Sequence, residues 1–566
     1  MCGLAKGRTF WHTGMLCMRS NNMFLAALAA ALASAFFPGA LRGAGTTPTV
    51  ALQYHFAGAA DLAGNTNFDR VKRIFSLPPA RRFQDLALDR WAGVLWSALQ
   101  FDPGGDSAAL LRPLLNDLLR AESAGSFGGR DKDRMDFVLA ARLDAKSAAA
   151  WQKNLESALR GQGEPLTAEG FSGRRWTRPG NHAFWMLLAR DWVVAGRGED
   201  LLPVRAEYLQ NIKRDNRPAP VAKDTWLSAD VDWPMLATWA PLTNCPFKLA
   251  RTALEVTARG GRLFATAHVS YPEALPWKSQ PWRIPKGLVS GPLSSFTASQ
   301  DLGAILKPDQ TLSRLSSNPL AGQLFCWAMR GMVLQSYAAW PVADATNAVR
   351  KLGAEAPAIL NPAVQARNHT ELTWIPKSDQ LLWSHLTLIA PTVRPSHDSN
   401  GDFLLARVFP GDSPYVAASE QLWSQFQQRD NIVYYDWEIT GLRLMQWRLL
   451  TEMLPVFPPP TPGDIARRDK AARNAKPPVM AGQANTPLAI TESWLAELAG
   501  PLDNTITEVS RTSPTNLTVL RNSQFLFTGL ELVMLSHWLA DAPVGPIDYS
   551  LLPMAKMSGP GLPRPH

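Results

Sequence analysis

The spacing of apolar side chains changes along the chain, and the change separates predicted helices from predicted strands. Between residues 91 and 118, tryptophan and leucine recur three and four positions apart, which is the spacing of amphipathic helices. Residues 137–143 (FVLAARL) form a short apolar run that predicts a strand, and Asp144 is placed to cap a helix over 147–159. The pattern therefore predicts a mainly helical section over 45–130, followed by mixed strands and helices.

Most strands beyond this section are predicted to pair as hairpins. Residues 253–271 alternate apolar and polar side chains on both sides of the turn dipeptide Gly260-Gly261. A strand over 402–409 and a strand running into a helix over 431–447 follow the same scheme. Hairpins with helices inserted between them predict an α+β fold, with antiparallel sheets and helices packed on one face.

Two short similarities bear on an internal duplication of this fold. The segment 293–298 (LSSFTA) is similar to 334–339 (LQSYAA), and residues 179–196 share scattered positions with 514–529. Each similarity is short, so a true repeat and a chance likeness both stay open.

Shifts in composition predict the division of the chain into segments. Residues 455–487 are rich in proline and polar side chains, which is typical of a linker. The predicted segments are a leader over 1–44, the helical section over 45–130, a first α+β module over 131–290, a second over 291–454, the linker over 455–487, a C-terminal α+β segment over 488–552 and a disordered tail over 553–566.

The leader predicts where the protein works. Residues 23–37 (MFLAALAAALASAFF) carry no charge, and they follow a basic segment without acidic residues. A basic start followed by an apolar stretch of this length is typical of a secretory signal. Because the small residues beyond it match a cleavage site imperfectly, a cleaved signal peptide and an uncleaved anchor both stay open. Either one predicts export to the periplasm or cell envelope.

Charge and composition exclude several classes of partner. The 566-residue chain has a net charge of +9, and four of the positive charges lie within residues 1–60, ahead of the first acidic residue. The remaining excess is spread without a dense basic block, so the sequence does not indicate a nucleic-acid-binding protein. We expect the partner to be a component of the envelope, or a glycan or lipid ligand.

Catalytic motifs with strong local signatures are missing from the sequence. There is no phosphate-binding loop, no HExxH zinc motif and no GxSxG elbow, and we expect neither a cofactor nor a metal. Asp436 and Glu438 share one face if their segment is a strand, and paired carboxylates can divide the acid and base roles of a glycosidase. The other interpretation is that the two carboxylates lie on a polar, solvent-facing side of the strand, opposite packed Tyr435 and Trp437.

Tryptophan and cysteine supply the remaining candidates. The chain has 21 tryptophans but only 8 tyrosines, and Trp277 and Trp282 lie in a proline-rich loop, where they are candidates for a ligand contact. A loop that covers a sheet edge is the alternative interpretation. Beyond the leader only Cys245 and Cys326 remain, and an oxidising compartment makes them a candidate disulfide.

Two segments carry a resemblance to other proteins. Residues 431–447 (NIVYYDWEITGLRLMQW) and 516–539 (NLTVLRNSQFLFTGLELVMLSHWL), together with the leader, resemble large exported bacterial proteins of no known function. The resemblance implies export and an α+β fold, but it implies no catalytic residues. The sequence thus leads to two hypotheses, a non-catalytic scaffold that binds a ligand or partner, and an exported hydrolase.

Overall fold

A computed structural model describes residues 49–453 and 486–540 of the chain. Within these limits it leaves out residue 63 and the segments 100–105, 130–134, 178–182, 221–223, 240–244, 279, 309–311, 332–334, 369, 385–388 and 410–415. The predicted leader over 1–44, the linker up to residue 485 and the predicted tail over 553–566 lie outside the described residues. None of the described helices combines the length and apolar composition needed to cross a membrane.

Local sequence patterns form the elements that they predict. The predicted hairpin is present as strands Arg251–Arg259 and Arg262–Ser270, whose turn residues Gly260 and Gly261 have positive φ angles of 59° and 75°. Glycine adopts this conformation without steric cost. A helix spans Ala145–Leu159, and the Asp144 carboxylate accepts a hydrogen bond of 2.7 Å from the backbone N–H of Ser147.

The described part of the chain forms one antiparallel sheet of 20 strands. The first ten are β1 (Thr49–Phe56), β2 (Ser123–Gly129), β3 (Asp136–Arg142), β4 (Glu164–Ala168), β5 (Phe171–Trp176), β6 (Phe184–Ala189), β7 (Trp192–Arg197), β8 (Thr225–Asp232), β9 (Arg251–Arg259) and β10 (Arg262–Ser270). The second ten are β11 (Leu293–Gln300), β12 (Gln323–Met329), β13 (Ser336–Val342), β14 (Glu371–Ile375), β15 (Gln380–Ser384), β16 (Thr392–Asp398), β17 (Gly401–Arg407), β18 (Ile432–Ile439), β19 (Asn504–Arg511) and β20 (Asn516–Ser523).

The sheet contains the same strand arrangement twice. Pairings place the first ten strands in the order β4-β5-β6-β7-β3-β2-β1-β8-β9-β10. The second ten follow the order β14-β15-β16-β17-β13-β12-β11-β18-β19-β20, in which every strand has its counterpart ten numbers earlier. We call these halves the first and second repeats.

The two short sequence similarities do not mark this duplication. Residues 293–298 belong to β11 and residues 336–339 to β13, and both strands lie in the second repeat. Residues 192–196 lie in β7, whose counterpart is β17 and not the β20 that contains residues 516–523. The two repeats share their strand order, but the short similarities do not connect counterpart strands.

Helices connect the strands at equivalent points of the two repeats. They are α1 (Ala59–Leu62), α2 (Asp69–Phe75), α3 (Ala80–Ala98), α4 (Ser107–Arg120), α5 (Ala145–Leu159), α6 (Leu202–Asp215), α7 (Trp233–Trp239), α8 (Leu302–Ile305), α9 (Ala345–Asn368), α10 (Glu420–Ser424), α11 (Thr440–Met453), α12 (Pro487–Leu498) and α13 (Gly529–Leu539). For example, α5 links the third and fourth strands of the first repeat, and α9 does so in the second.

The predicted α+β class with antiparallel pairing is confirmed, although helices cover more than the one expected face. Trp151 of α5 packs in the same apolar cluster as Val193, whereas Tyr208 of α6 packs in a cluster with Val194. Consecutive residues of a strand point to opposite faces, so α5 and α6 lie on opposite sides of the sheet. The predicted domain boundaries stay predictions.

One apolar cluster joins helices that are far apart in sequence. Helices α2, α3, α11, α12 and α13 contribute to it, and we call them the helical layer. Phe83 of α3 stacks on Trp494 of α12 with ring centroids 3.8 Å apart. The helical section near the start of the chain thus packs on the C-terminal part of the second repeat.

The two outer strands of the sheet, β4 and β14, each pair with one neighbour within the described residues. Unpaired strand edges invite pairing with other chains, and native proteins usually block them. In β4, Pro165 lacks a backbone N–H. Beside β14, the Asn361 side chain of α9 accepts from the Leu372 N–H at 2.7 Å and donates to the Leu372 carbonyl at 3.0 Å. Asn361 therefore occupies the edge as a partner strand would.

Replacing this amide tests the blocked edge. We expect Asn361→Leu to lower the free energy of unfolding by about 1–3 kcal/mol, because two backbone groups lose their hydrogen bonds. The same variant should self-associate more, since the β14 edge becomes available. Denaturant titration and sedimentation velocity measure the two effects, and Asn347→Leu on the exposed side of the same helix is the control. Unchanged stability and association for Asn361→Leu would contradict this role.

Candidate functional site

Asp436 and Glu438 lie on β18 and face the same side of the sheet, as alternation along a strand predicts. Both are only 5% exposed. The Thr297 hydroxyl donates to Asp436 Oδ1 at 2.6 Å, and the Gly529 backbone N–H donates to Glu438 Oε1 at 2.8 Å. The carboxylates are thus not a solvent-facing pair, because the sheet and the start of α13 enclose them.

A buried arginine from α11 lies in the same environment. Arg443 donates from Nη1 to Gln446 Oε1 at 2.7 Å, and its guanidinium lies over the Trp447 ring, 4.8 Å from the centroid. Gln446 in turn donates to the Met329 carbonyl at 2.9 Å. This chain of hydrogen bonds connects the helix to the end of β12.

A second arginine and a third carboxylate form a fully buried ion pair. Arg521 of β20 and Glu531 of α13 are both 0% exposed, and Nη1 lies 2.9 Å from Oε2. Arg521 also donates to Thr507 Oγ1 at 3.0 Å. Glu531 closes a capping box with Thr528, whose backbone N–H donates to Oε2 at 2.7 Å. The pair therefore fixes the start of α13 on the sheet.

These five side chains form a cluster with one more acid than base. Its members are Asp436, Glu438, Arg443, Arg521 and Glu531, and we call them the buried charge cluster. Burial, reinforced by the Asp436 charge, raises the pKa of Glu438 to about 7. Burial also raises the pKa of Glu531, against the attraction of Arg521. A carboxyl with this pKa is about half protonated at neutral pH, and the proton offsets part of the excess negative charge of the cluster.

The counterpart positions in the first repeat are apolar. β8 and β18 each run directly into a helix, so Ala229 and Val231 correspond to Asp436 and Glu438. The same ladders make Leu254 and Ala267 the counterparts of Thr507 and Arg521. All four of these first-repeat residues are buried in one apolar cluster. At these four positions the first repeat thus forms the same strand arrangement with apolar side chains in place of the charged and polar ones of the second repeat.

The tryptophan candidates lie in or against the core. Trp282 is 9% exposed, and its ring contacts Phe325 and Phe426 at centroid distances of 5.9 and 5.3 Å. Trp277 is half-buried and packs on a second apolar cluster. The proline-rich loop thus buries the Trp282 ring against an interior strand of the sheet. The ligand contact and the covered sheet edge both stay predictions for this loop.

The predicted disulfide is not formed. Cys245 and Cys326 are free thiols, and both pack, half-buried, against the same apolar cluster. Burial raises the pKa of the Cys245 thiol, so this side chain behaves as a small apolar residue at neutral pH.

Within the described residues, no group of three or more histidine, cysteine, aspartate or glutamate side chains is arranged to hold a metal ion. The acidic turn at 398–402 is a hairpin between β16 and β17, in which Gly401 has a φ of 117°. Its carboxylates accept internal hydrogen bonds, including 2.6 Å from the Gly287 N–H to Asp398 and 3.0 Å from the Ala345 N–H to Asp402. These bonds account for the acidic side chains of the turn.

Comparisons with known proteins give no family for this chain. No protein-family model and no curated protein matches it. Two solved structures, crystal forms IV and III of TP0453, align with 42% of this chain and with 80% and 78% of their own chains. Their identity to it is 12% and the TM-score is 0.20, which supports no argument about fold or function. The resemblance to exported bacterial proteins stays a prediction.

Sequence reasoning singled out Asp436 and Glu438 of the buried charge cluster, and it missed Arg521 and Glu531. The two missed residues lie in segments that otherwise read as an apolar strand and an apolar helix. A charge inside an apolar run is the signal that marks them, since such residues are almost never buried without a partner. Arg521 and Glu531 are only ten residues apart, but their position beside Asp436 and Glu438 depends on the pairing of β18, β19 and β20, which the sequence does not show.

Replacing Glu438 by a neutral side chain tests whether its carboxyl has a raised pKa in the buried charge cluster. A folded-state pKa of about 7, against an ordinary value of 4.5, means that the folded protein binds this proton more tightly. The associated stability is complete below pH 4.5 and is lost as the pH rises to 7, by about 3 kcal/mol in total. We expect Glu438→Gln to remove this loss and to be more stable than the wild type at pH 8. Denaturant titrations between pH 4 and 8 measure it.

Glu508→Gln is the matched control, because Glu508 lies on the neighbouring strand β19 and pairs with Arg429 near the surface. It should leave the pH dependence of unfolding unchanged. An identical pH dependence in the wild type and Glu438→Gln would show that Glu438 ionises normally.

Proposed function

We propose that this protein is an exported, non-catalytic scaffold of the cell envelope that binds a ligand or partner at its surface. The observation that supports it most is the enclosure of the buried charge cluster. Asp436 and Glu438 are the candidate catalytic carboxylates of the sequence. In the structure their oxygens accept hydrogen bonds from Thr297 and Gly529 inside the fold. A glycosidase needs both carboxyl groups to flank a bound sugar.

Exposed apolar side chains on the helical layer support a binding role. Met445 and Leu449 lie four positions apart on α11, so they share one side of the helix, and they are 56% and 37% exposed. Leu488, at the start of α12, is also exposed, and Arg448 pairs with Glu492 to join these two helices at 2.8 Å. Exposed apolar side chains near one another are typical of interaction surfaces.

The raised pKa of Glu438 favours the second candidate, an exported hydrolase. A carboxyl with a pKa of about 7 has the proton affinity of a general acid. This function would require α13 to move away from β18, because Gly529 at its start contacts Glu438. The enclosure of the carboxylates makes the scaffold the better supported of the two.

Glu438→Gln also separates these candidates. A scaffold predicts no hydrolysis above background on a panel of chromogenic glycosides and esters, for both the wild type and the variant. Hydrolysis by the wild type that falls at least a hundredfold in Glu438→Gln, but not in Glu508→Gln, would establish the hydrolase instead (about 100-fold being typical of losing a general acid). Circular dichroism checks that both variants are folded.

A reporter fusion tests the predicted export. Joined after residue 44, a reporter that is active only outside the cytoplasm should be active in a bacterial host. Leu28→Arg with Leu32→Arg should abolish this activity, because charges in the apolar segment prevent its insertion. The conservative pair Leu28→Ile with Leu32→Ile is the control and should retain it. If the wild-type fusion is expressed at a normal level but its reporter is inactive, the protein is not exported and the proposed location in the cell envelope is wrong.

A further inference from the structure

The corner between α2 and α3 carries an unusual set of exposed side chains. Helix α2 ends at Phe75, and α3 begins at Ala80 after a tight turn in which the Ala80 N–H donates to the Leu77 carbonyl at 2.9 Å. Pro78 and Pro79 restrict the backbone of this turn. From residue 70 to residue 84 the chain carries five basic side chains and no acidic one. The corner is therefore a conformationally restricted turn between two helices with a basic exposed side.

Two of these five basic side chains are neutralised within the fold. Arg70 pairs with Asp503 at 3.0 Å, and Lys72 pairs with Asp69 at 2.9 Å. The remaining three, Arg73, Arg81 and Arg82, are exposed, and no carboxylate of the described residues lies within ion-pair distance of them.

Many other exposed arginines of the described chain are paired. Arg251 with Asp230, Arg350 with Asp379 and Arg142 with Asp191 are examples. The unpaired guanidinium groups at the corner thus form a local excess of positive charge, and each guanidinium offers a planar fork of donors that fits a phosphate group.

An exposed aromatic side chain, Phe75, lies between Arg73 and Arg81 in the sequence of this corner. Phe75 is 56% exposed, while the preceding residue, Ile74, is buried in the helical layer. One edge of the Phe75 ring contacts Phe525 at a centroid distance of 5.8 Å, and this contact fixes the ring where the helix ends. An exposed phenylalanine and unpaired arginines in the same corner can both be satisfied by one surface. That surface has anionic groups at its outside, which attract the guanidinium groups, and an apolar layer beneath them, which accepts the ring.

We propose that this basic corner, formed by Arg73, Phe75, Arg81 and Arg82, docks on a bilayer surface that contains anionic phospholipid. The guanidinium groups contact the lipid phosphates, and the Phe75 ring enters the interface between headgroups and acyl chains. This combination of basic residues and an aromatic ring is the one that peripheral membrane proteins use. The proposal deepens the proposed function, since it rests on an envelope location that brings a membrane within reach.

The charges favour a membrane over a nucleic acid as the partner. A nucleic-acid interface extends basic residues along a groove or a face, whereas these three arginines are confined to one projecting corner. The apolar segment 23–37 of the sequence also predicts that the chain engages a bilayer, about a dozen residues before β1. Acidic vesicles are therefore the appropriate probe.

Vesicle sedimentation with the full chain tests the proposal. Wild-type protein should partition more tightly onto vesicles of phosphatidylcholine with phosphatidylserine than onto phosphatidylcholine alone. Arg73→Gln/Arg81→Gln/Arg82→Gln should weaken partitioning onto the anionic vesicles by between about tenfold and a hundredfold, since each basic residue contributes about fivefold near such a surface. The apolar segment 23–37 is the same in every variant, so it does not contribute to the difference.

Matched variants elsewhere on the surface control for total charge and for exposed apolar area. Lys153→Gln/Arg314→Gln/Arg330→Gln removes three exposed charges away from the corner and should retain the wild-type partitioning. Phe75→Ser should weaken it severalfold, whereas Leu188→Ser, at a residue that is 44% exposed on β6, should not. Thermal melting shows whether each variant is folded. If Phe75→Ser does not fold, the comparison of the two triple variants decides the result.

Several results would overturn the proposal. They are equal binding to both vesicle types, an equal loss in the two triple variants, and tighter corner-dependent binding to a double-stranded oligonucleotide than to anionic vesicles. The export fusion keeps this outcome separate from the proposed function. An exported protein without a preference for anionic vesicles retains its place in the envelope and loses only the membrane-docking corner.

Discussion

The architecture depends on the antiparallel pairing of β10 with β20. This ladder runs through eight residue pairs, from Leu263 opposite Ser523 to Ser270 opposite Asn516. Among the described strands it is the pairing that connects the two repeats, since every other ladder stays within one of them. The helical layer reinforces it through apolar contacts such as the stack of Phe83 on Trp494. Without this ladder the chain would present two separate ten-stranded sheets, each with a bare edge.

The two repeats use the same strand order to support different interiors. Around Val231 the first repeat packs apolar side chains, whereas around Glu438 the second repeat buries three carboxyls and two guanidinium groups. Buried ion pairs seldom add stability over apolar residues of similar size, because both charges lose their hydration. The buried charges instead position a helix. Arg521 and Glu531 fix where α13 begins, and Glu438 accepts a hydrogen bond from a backbone N–H at the same helix start.

Local features of the sequence predicted local features of the fold. The glycine pair at 260–261 and the cap at Asp144 act through their nearest neighbours, so the hairpin and the helix that they predict are both present. The sequence left a duplication open, because the strand order rests on pairings such as β1 with β8, whose residues are about 175 positions apart. Burial of Trp282 and the partners of Asp436 depend on the same long-range contacts, which composition and spacing do not encode.

The position of β20 in the chain has a consequence for assembly. A polypeptide is made from its N-terminus, so the ten strands of the first repeat are complete while β20, some 250 residues after β10, is still missing. During that interval the backbone N–H and C=O groups of β10 that later face β20 form an open strand edge. Contacts between such distant segments form slowly, and exposed edges of this kind promote aggregation. Closing the β10 edge therefore has to wait until β20, the last of the described strands, has been made.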